Sequence, residues 1–152
     1  MADASGAPEF SRPVDIPRIT GRASAHKIAA DAPERAGLAE RFALVSLDRL
    51  AAEIRLERLP GGLVRLDASL SADVVQSCVV TLEPVANAVE ETFTLLFGPG
   101  EDAREIVLDG EAETVEPLEG DRIDLGEIVA QQLSLALDPF PRAAGASLDP
   151  LP

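Results

Sequence analysis

One cysteine, one histidine and a dense run of carboxylates are the residues of this chain whose chemistry deserves the first look. A thiol beside an imidazole makes a nucleophile and its base, and here the only members of such a pair are Cys78 and His26. Cys78 follows the apolar-rich stretch at Val74 and Val75 and reads as a small buried side chain. His26 stands between Ala25 and Lys27, a surface-strand setting, so catalysis by His26 with Cys78 or with a serine is not expected. The acids Glu101, Asp102, Glu105, Asp109, Glu111, Glu113, Glu116, Glu119 and Asp121 offer oxygen ligands to divalent ions. They lack the D-x-D-x-D-G spacing of a calcium loop, and a two-metal hydrolase acting on RNA or nucleotides needs carboxylates fixed on rigid elements. The run therefore reads as a solvated loop. Structural zinc needs four Cys or His ligands, which this chain does not have. No catalytic residue, metal or cofactor is expected.

Charge gives a second lead. Residues 1–65 carry 10 Arg/Lys against 9 Asp/Glu, whereas residues 66–152 carry 3 against 18, so the formal charge of −14 belongs almost wholly to the second part. Favourable nucleic-acid binding comes from neutralising phosphates, and that part cannot supply it. It suits a basic partner instead. The exception is the segment with Arg12, Arg18, Arg22 and Lys27, faced by the single acid Asp15 between residues 10 and 30. At a sheet edge these four could form one patch on RNA phosphates, or they could pair with the acidic half of their own domain.

Composition narrows the class. The chain has 152 residues, 46% of them apolar, enough for one core. With five Phe and no Trp or Tyr, that core is built from Leu, Val, Ile and Ala, and stacking platforms for single-stranded nucleic acid are scarce. A lone cysteine excludes an intramolecular disulfide, the N-terminus has no secretory pattern, and no apolar run is long enough to span a bilayer. A soluble cytoplasmic protein with no membrane contact is expected.

The elements that must position these residues follow from local pattern. An extended segment with Phe10, Val14 and Ile16 is confined to a sheet edge by Pro13, and residues 22–30 read as a second. Asp31, Pro33 and Glu34 spell a capping box for a helix over 32–42. The break Leu59-Pro60-Gly61-Gly62 joins a strand with Ile54 and Leu56 to one in which Val64, Leu66, Ala68, Leu70 and Ala72 alternate with polar residues. A third strand carries Val89, Phe93, Leu95 and Phe97 on one face. The stretch about 98–122 is expected to be a mobile acidic loop around the short run Ile106-Val107-Leu108. Asp124 to Glu127 repeats the capping-box pattern ahead of a helix over 125–137, whose stripe of Leu125, Ile128, Val129 and Leu133 leaves Leu135 outside. Leu135 with Pro139, Phe140 and Pro141 could make an apolar lip for a partner.

Two ordered motifs, Cys78-Val-Val-Thr-Leu-Glu-Pro84 and the pair Ile123-Asp-Leu-Gly-Glu-Ile-Val129 with Leu135-Ala-Leu-Asp-Pro-Phe-Pro141, resemble the YceD family, also called domain of unknown function 177. The motif positions are Cys78, Thr81, Glu83, Pro84, Asp124, Leu125 and Glu127. The likeness runs from about residue 10 to 145. It implies a bacterial factor needed for 23S rRNA accumulation and hence for large-subunit biogenesis. With that process, the acidic surface suits a basic ribosomal protein or an assembly intermediate as partner. Many members have a second cysteine three residues after the first and another pair near the C-terminus, which suggest a metal site. Here Thr81 stands at that second position and no cysteine follows, so thiolate zinc is not implied.

The reading is a single α+β domain over 9–142, an antiparallel or mixed sheet, open or curled toward a barrel, with two packed helices. A mobile tail precedes it over 1–8 and a disordered one follows over 143–152. A non-catalytic assembly factor is favoured; a metal-dependent hydrolase and a generic acidic interaction module are the alternatives.

Overall fold

The computed structural model describes residues 8–100, 102–118, 120–139 and 141. In chain order these form β1 (Pro13–Asp15), β2 (Ser24–Ala29), α1 (Ala32–Arg41), β3 (Ser46–Leu59), β4 (Leu63–Ser77), β5 (Pro84–Gly98), β6 (Arg104–Leu108), β7 (Glu111–Pro117), β8 (Arg122–Asp124) and α2 (Leu125–Ala136). The alternation read along β4 is the one that buries it: Val64, Leu66, Ala68, Leu70, Ala72 and Val74 all lie inside. Across the ladder His26, Ile54, Ala68 and Phe93 stand side by side, as do Leu50, Ala72 and Val89. One face is thereby largely apolar across β3, β4 and β5, with His26 on it at the β2 edge. Gly61 and Gly62, both at positive φ, turn β3 into β4 without the steric cost a side chain would bring.

Both helices pack on that apolar face. Leu38 and Ala39 of α1 and Leu125, Val129, Ala130 and Leu133 of α2 join the strand residues and Phe10 in one core. The α1 capping box is complete, with the Glu34 amide donating to Asp31 and the Asp31 amide to Glu34. In α2 only half of the expected box forms. Asp124 caps the amides of Gly126 and Glu127, while the Glu127 carboxylate turns away to Arg41 and Gln131.

The six-stranded sheet is mixed, in the order β2-β3-β4-β5-β7-β6, with β7 parallel to β5. Of the open and barrel-like forms the pattern allows, it takes the open one: β2 and β6 remain separate edges, and the last strand, β8, pairs with β1 in a two-stranded ribbon. The acidic stretch is also more regular than a loop around one short strand. β6 and β7 form a hairpin whose two-residue turn, Asp109 and Gly110, has positive φ at both positions, as a type I′ turn requires. Among the described residues no helix is long and apolar enough to cross a membrane.

Candidate partner interface

Arg12 is the most constrained of the four basic residues. Its guanidinium meets Glu34 in a bidentate pair at 2.7 and 2.9 Å, donates to the carbonyls of Ser11 and Ala29, and sits 4.9 Å from the Phe10 ring centroid. The Arg12 hydrogen bonds hold the Glu34 carboxyl below its ordinary value, and the same pair raises Arg12. Arg18 lies 3.8 Å from Asp15, whose other oxygen is 3.2 Å from Arg122. Arg22 and Lys27 face solvent, with Lys27 opposite Glu53 on β3. Arg12 touches one end of β2 and Arg22 precedes the other, about 20 Å away at strand rise. At physiological salt charges that far apart act independently, so the four residues are not gathered into one patch.

The same seam explains the second motif residue by residue. Ile123 and Leu125 are buried. Asp124 accepts from the Ser11 hydroxyl at 2.6 Å, the Arg12 amide at 2.7 Å, and its two cap amides. Gly126 lies so close to the Phe10 carbonyl that an added Cβ would stand 2.5 Å from its oxygen. Glu127 receives both Arg41 nitrogens, one of which also reaches Glu9, and these bonds lower its carboxyl below the ordinary range. Every one of these roles is structural.

Cys78 and the first motif shape the β4–β5 turn. The buried Cys78 sulfur accepts from the amides of Val80 and Thr81 at 3.3 and 3.4 Å, and its amide donates to the Glu83 carbonyl. The Thr81 hydroxyl accepts from the Glu83 amide. Pro84 opens β5. Leu82 is in the left-handed region at φ 65° and 77% exposed, and Val79 and Val80 beside it are also exposed. The segment after α2 returns here: the Gln76 side chain donates to the Asp138 carbonyl and the Val79 amide to that of Pro141. The two motifs, distant in sequence, therefore meet in space. Leu135 is 78% exposed and Pro139 is exposed, while Pro141 is buried; Phe140 lies outside the described residues, as do Glu101, Glu119 and the tails over 1–7 and 142–152.

No Cys–His pair is assembled. His26 is in register with Ala68, ten residues along β4 from Cys78, which separates them by about 30 Å. His26 does lie 3.1 Å from the Ser24 hydroxyl, its neighbour on the same strand face. Nothing described orients the imidazole from its other nitrogen, as a nucleophile–base set needs. Among the described residues no three His, Cys, Asp or Glu side chains are grouped to hold a metal. On the sheet face away from the helices, a shallow trough of about 610 Å³ is lined by Ala29, Ala51, Ser69, Ser71 and Thr92 between Lys27, Glu53 and Glu90. It has no such chemistry either.

The acids of the β6–β7 hairpin differ from those of the seam. Asp109, Glu111 and Glu113 line one polar recess with Arg65, Thr94, Leu96 and Leu108, and Glu105 is exposed. Among the described residues no ion pair involves any of the four. The hairpin was open to sequence reasoning through Leu108-Asp109-Gly110-Glu111, whose Asp-Gly dipeptide between alternating residues is a strong short-range turn signal. The exposed Leu82, Val79 and Val80 gave no periodic signal, since they sit in a turn.

A family model described as large ribosomal RNA subunit accumulation protein YceD matches residues 66–151, more than half of the chain. The chain belongs to this family. The matched span takes in β5, the acidic hairpin, both motifs and α2, whereas β1, β2, α1 and β3 lie before it. Comparison with curated proteins and with solved structures returned no match.

Proposed function

We propose that this YceD-family protein is a non-catalytic, cytoplasmic bacterial factor that supports 23S rRNA accumulation and large-subunit biogenesis by binding a basic ribosomal protein or an assembly intermediate that displays one. The family description ties such proteins to large-subunit rRNA. The observation that carries the mode of action is uneven charge pairing. The seam arginines are spent on internal carboxylates, while Glu105, Asp109, Glu111 and Glu113 project from the β6–β7 hairpin with no ion pair among the described residues. A negative surface of this kind steers a basic partner by complementary charge. Direct RNA contact is secondary and falls to the solvent-facing Arg22 and Lys27; two such cations support only weak phosphate binding. The exposed Leu135 and Pro139 offer a separate apolar contact to the same partner.

The test is the ratio of mature 23S to 16S rRNA after depletion of the protein, with wild type restoring it. A selective fall in 23S is expected. An unchanged ratio, with depletion verified, would leave the generic acidic interaction module as the better description. The metal-dependent hydrolase is disfavoured because the carboxylates of the acidic stretch are not grouped as ligands among the described residues.

A further inference from the structure

The six-stranded sheet ends at β6, and among the described residues no strand pairs with its outer side. In the β6–β7 hairpin the pairs flanking the turn alternate, so Leu108, Ile106 and Arg104 exchange hydrogen bonds with β7. Glu105 and Val107 consequently aim their amides and carbonyls outward. The Val107 side chain is itself 75% exposed in the middle of the strand. Exposed edges are templates for another strand, and proteins commonly blunt them with charge. Here the nearby charge is net negative: Glu105, Asp109, Glu111 and Glu113 outnumber Arg104 on the same strand and Arg65 beside the recess. Such charge repels a second acidic strand and attracts a basic one.

We propose that β6 is a docking edge that takes an extended, lysine- or arginine-rich segment of a partner protein as an added strand, with Val107 as its apolar contact. The proposal rests on the ribosomal reading for the identity of the partner, not for the edge itself. Main-chain bonds to Glu105 and Val107 supply the pairing, and the acids around the turn set its charge preference. The opposite edge, β2, carries His26 and Lys27, so the same basic segment is not drawn there.

The experiment uses the full chain, isotopically labelled, with a ten-residue peptide of alternating lysine and valine. A second peptide with proline at every valine position keeps the charge but cannot extend a ladder. Binding of the first, with slowed exchange of the Glu105 and Val107 amides and at least tenfold weaker binding of the second, is the expected result. Val107→Lys, at an exposed side chain, should weaken the first peptide at least tenfold with an unchanged melting temperature. Val107→Pro removes an outward amide and should do the same. Equal binding of both peptides, or exchange unchanged at Glu105 and Val107, would show attraction by charge alone and overturn the proposal. So would concentration-dependent self-association abolished by Val107→Lys, since a second copy would then be the occupant. The 23S ratio is scored separately: if Val107→Lys restores it fully while peptide docking fails, the edge is wrong and the ribosomal reading stands.

Discussion

The seam between the N-terminal segment and α2 and the β6–β7 hairpin are both rich in charge, yet they use it in opposite ways. In the seam, Arg12, Arg41 and Asp124 each satisfy several partners and are partly buried. In the hairpin the carboxylates of Glu105, Asp109, Glu111 and Glu113 form no ion pair among the described residues. Charge engaged internally holds elements in place; charge left in water is available to something else. The contrast also explains why a motif that marks a family need not mark its working surface, since Asp124, Gly126 and Glu127 act as cap, close approach and ion pair.

The contrast breaks most visibly at Gly126. A Cβ there would meet the Phe10 carbonyl at 2.5 Å, and backbone has little room to yield, so Gly126→Ala should cost about 3 kcal/mol, the upper end for overpacking. Chemical denaturation would register it as a lowered midpoint. Asp124→Ala should cost about 2 kcal/mol by removing a helix cap and orphaning the Ser11 and Arg12 donors. Asp124→Asn, which keeps an acceptor oxygen, should recover part of that loss. A difference below about 0.5 kcal/mol between Asp124→Ala and wild type would show that the seam is not held by this residue.

A smaller effect lies in pH dependence. Glu34 and Glu127 are held below the ordinary glutamate value of 4.5 by hydrogen bonds from Arg12 and Arg41. A depressed folded pKa gives stability that is fully present above the unfolded value and is lost as pH falls through the folded one. The melting temperature should therefore drop as pH falls below about 4.5, and replacing both arginines with methionine should flatten that drop. An unflattened profile would assign acid sensitivity to other carboxylates.

The smallest stability change belongs to the hairpin. Glu111→Gln with Glu113→Gln should alter unfolding free energy by less than about 0.5 kcal/mol, as surface changes commonly do. Its effect should appear in binding, as weaker salt dependence toward a basic protein. Substantial destabilisation would mean these acids serve the fold and would erase the contrast.

What could be read from the chain alone was what neighbours in sequence decide. The Asp31 cap, the Pro60-Gly61-Gly62 turn, the β4 alternation and the α2 stripe all depend on residues within a few positions of one another, and the structure has them where they were expected. Parallel pairing of β5 with β7 and the β1–β8 ribbon depend on distant segments, and no local pattern encodes them. The acidic hairpin was missed for a different reason: its negative composition suggested solvent and hid the Asp109-Gly110 turn. The basic residues were legible as charges but not as a surface, because the carboxylate that engages Arg12 arrives from α1.

β5 runs unbroken from Pro84 beside the Cys78 turn to Gly98 beside β7, a length of about 45 Å at strand rise. It thus acts as a spacer bar: an apolar turn sits at one end, and the acids Glu111 and Glu113, level with Thr92 and Thr94, stand about 25–35 Å along it on one stiff ladder, beyond the screening length. Occupying one end leaves the electrostatics of the other unchanged while setting where it is held. The apolar turn and the acidic hairpin are thus kept at a set separation by one ladder.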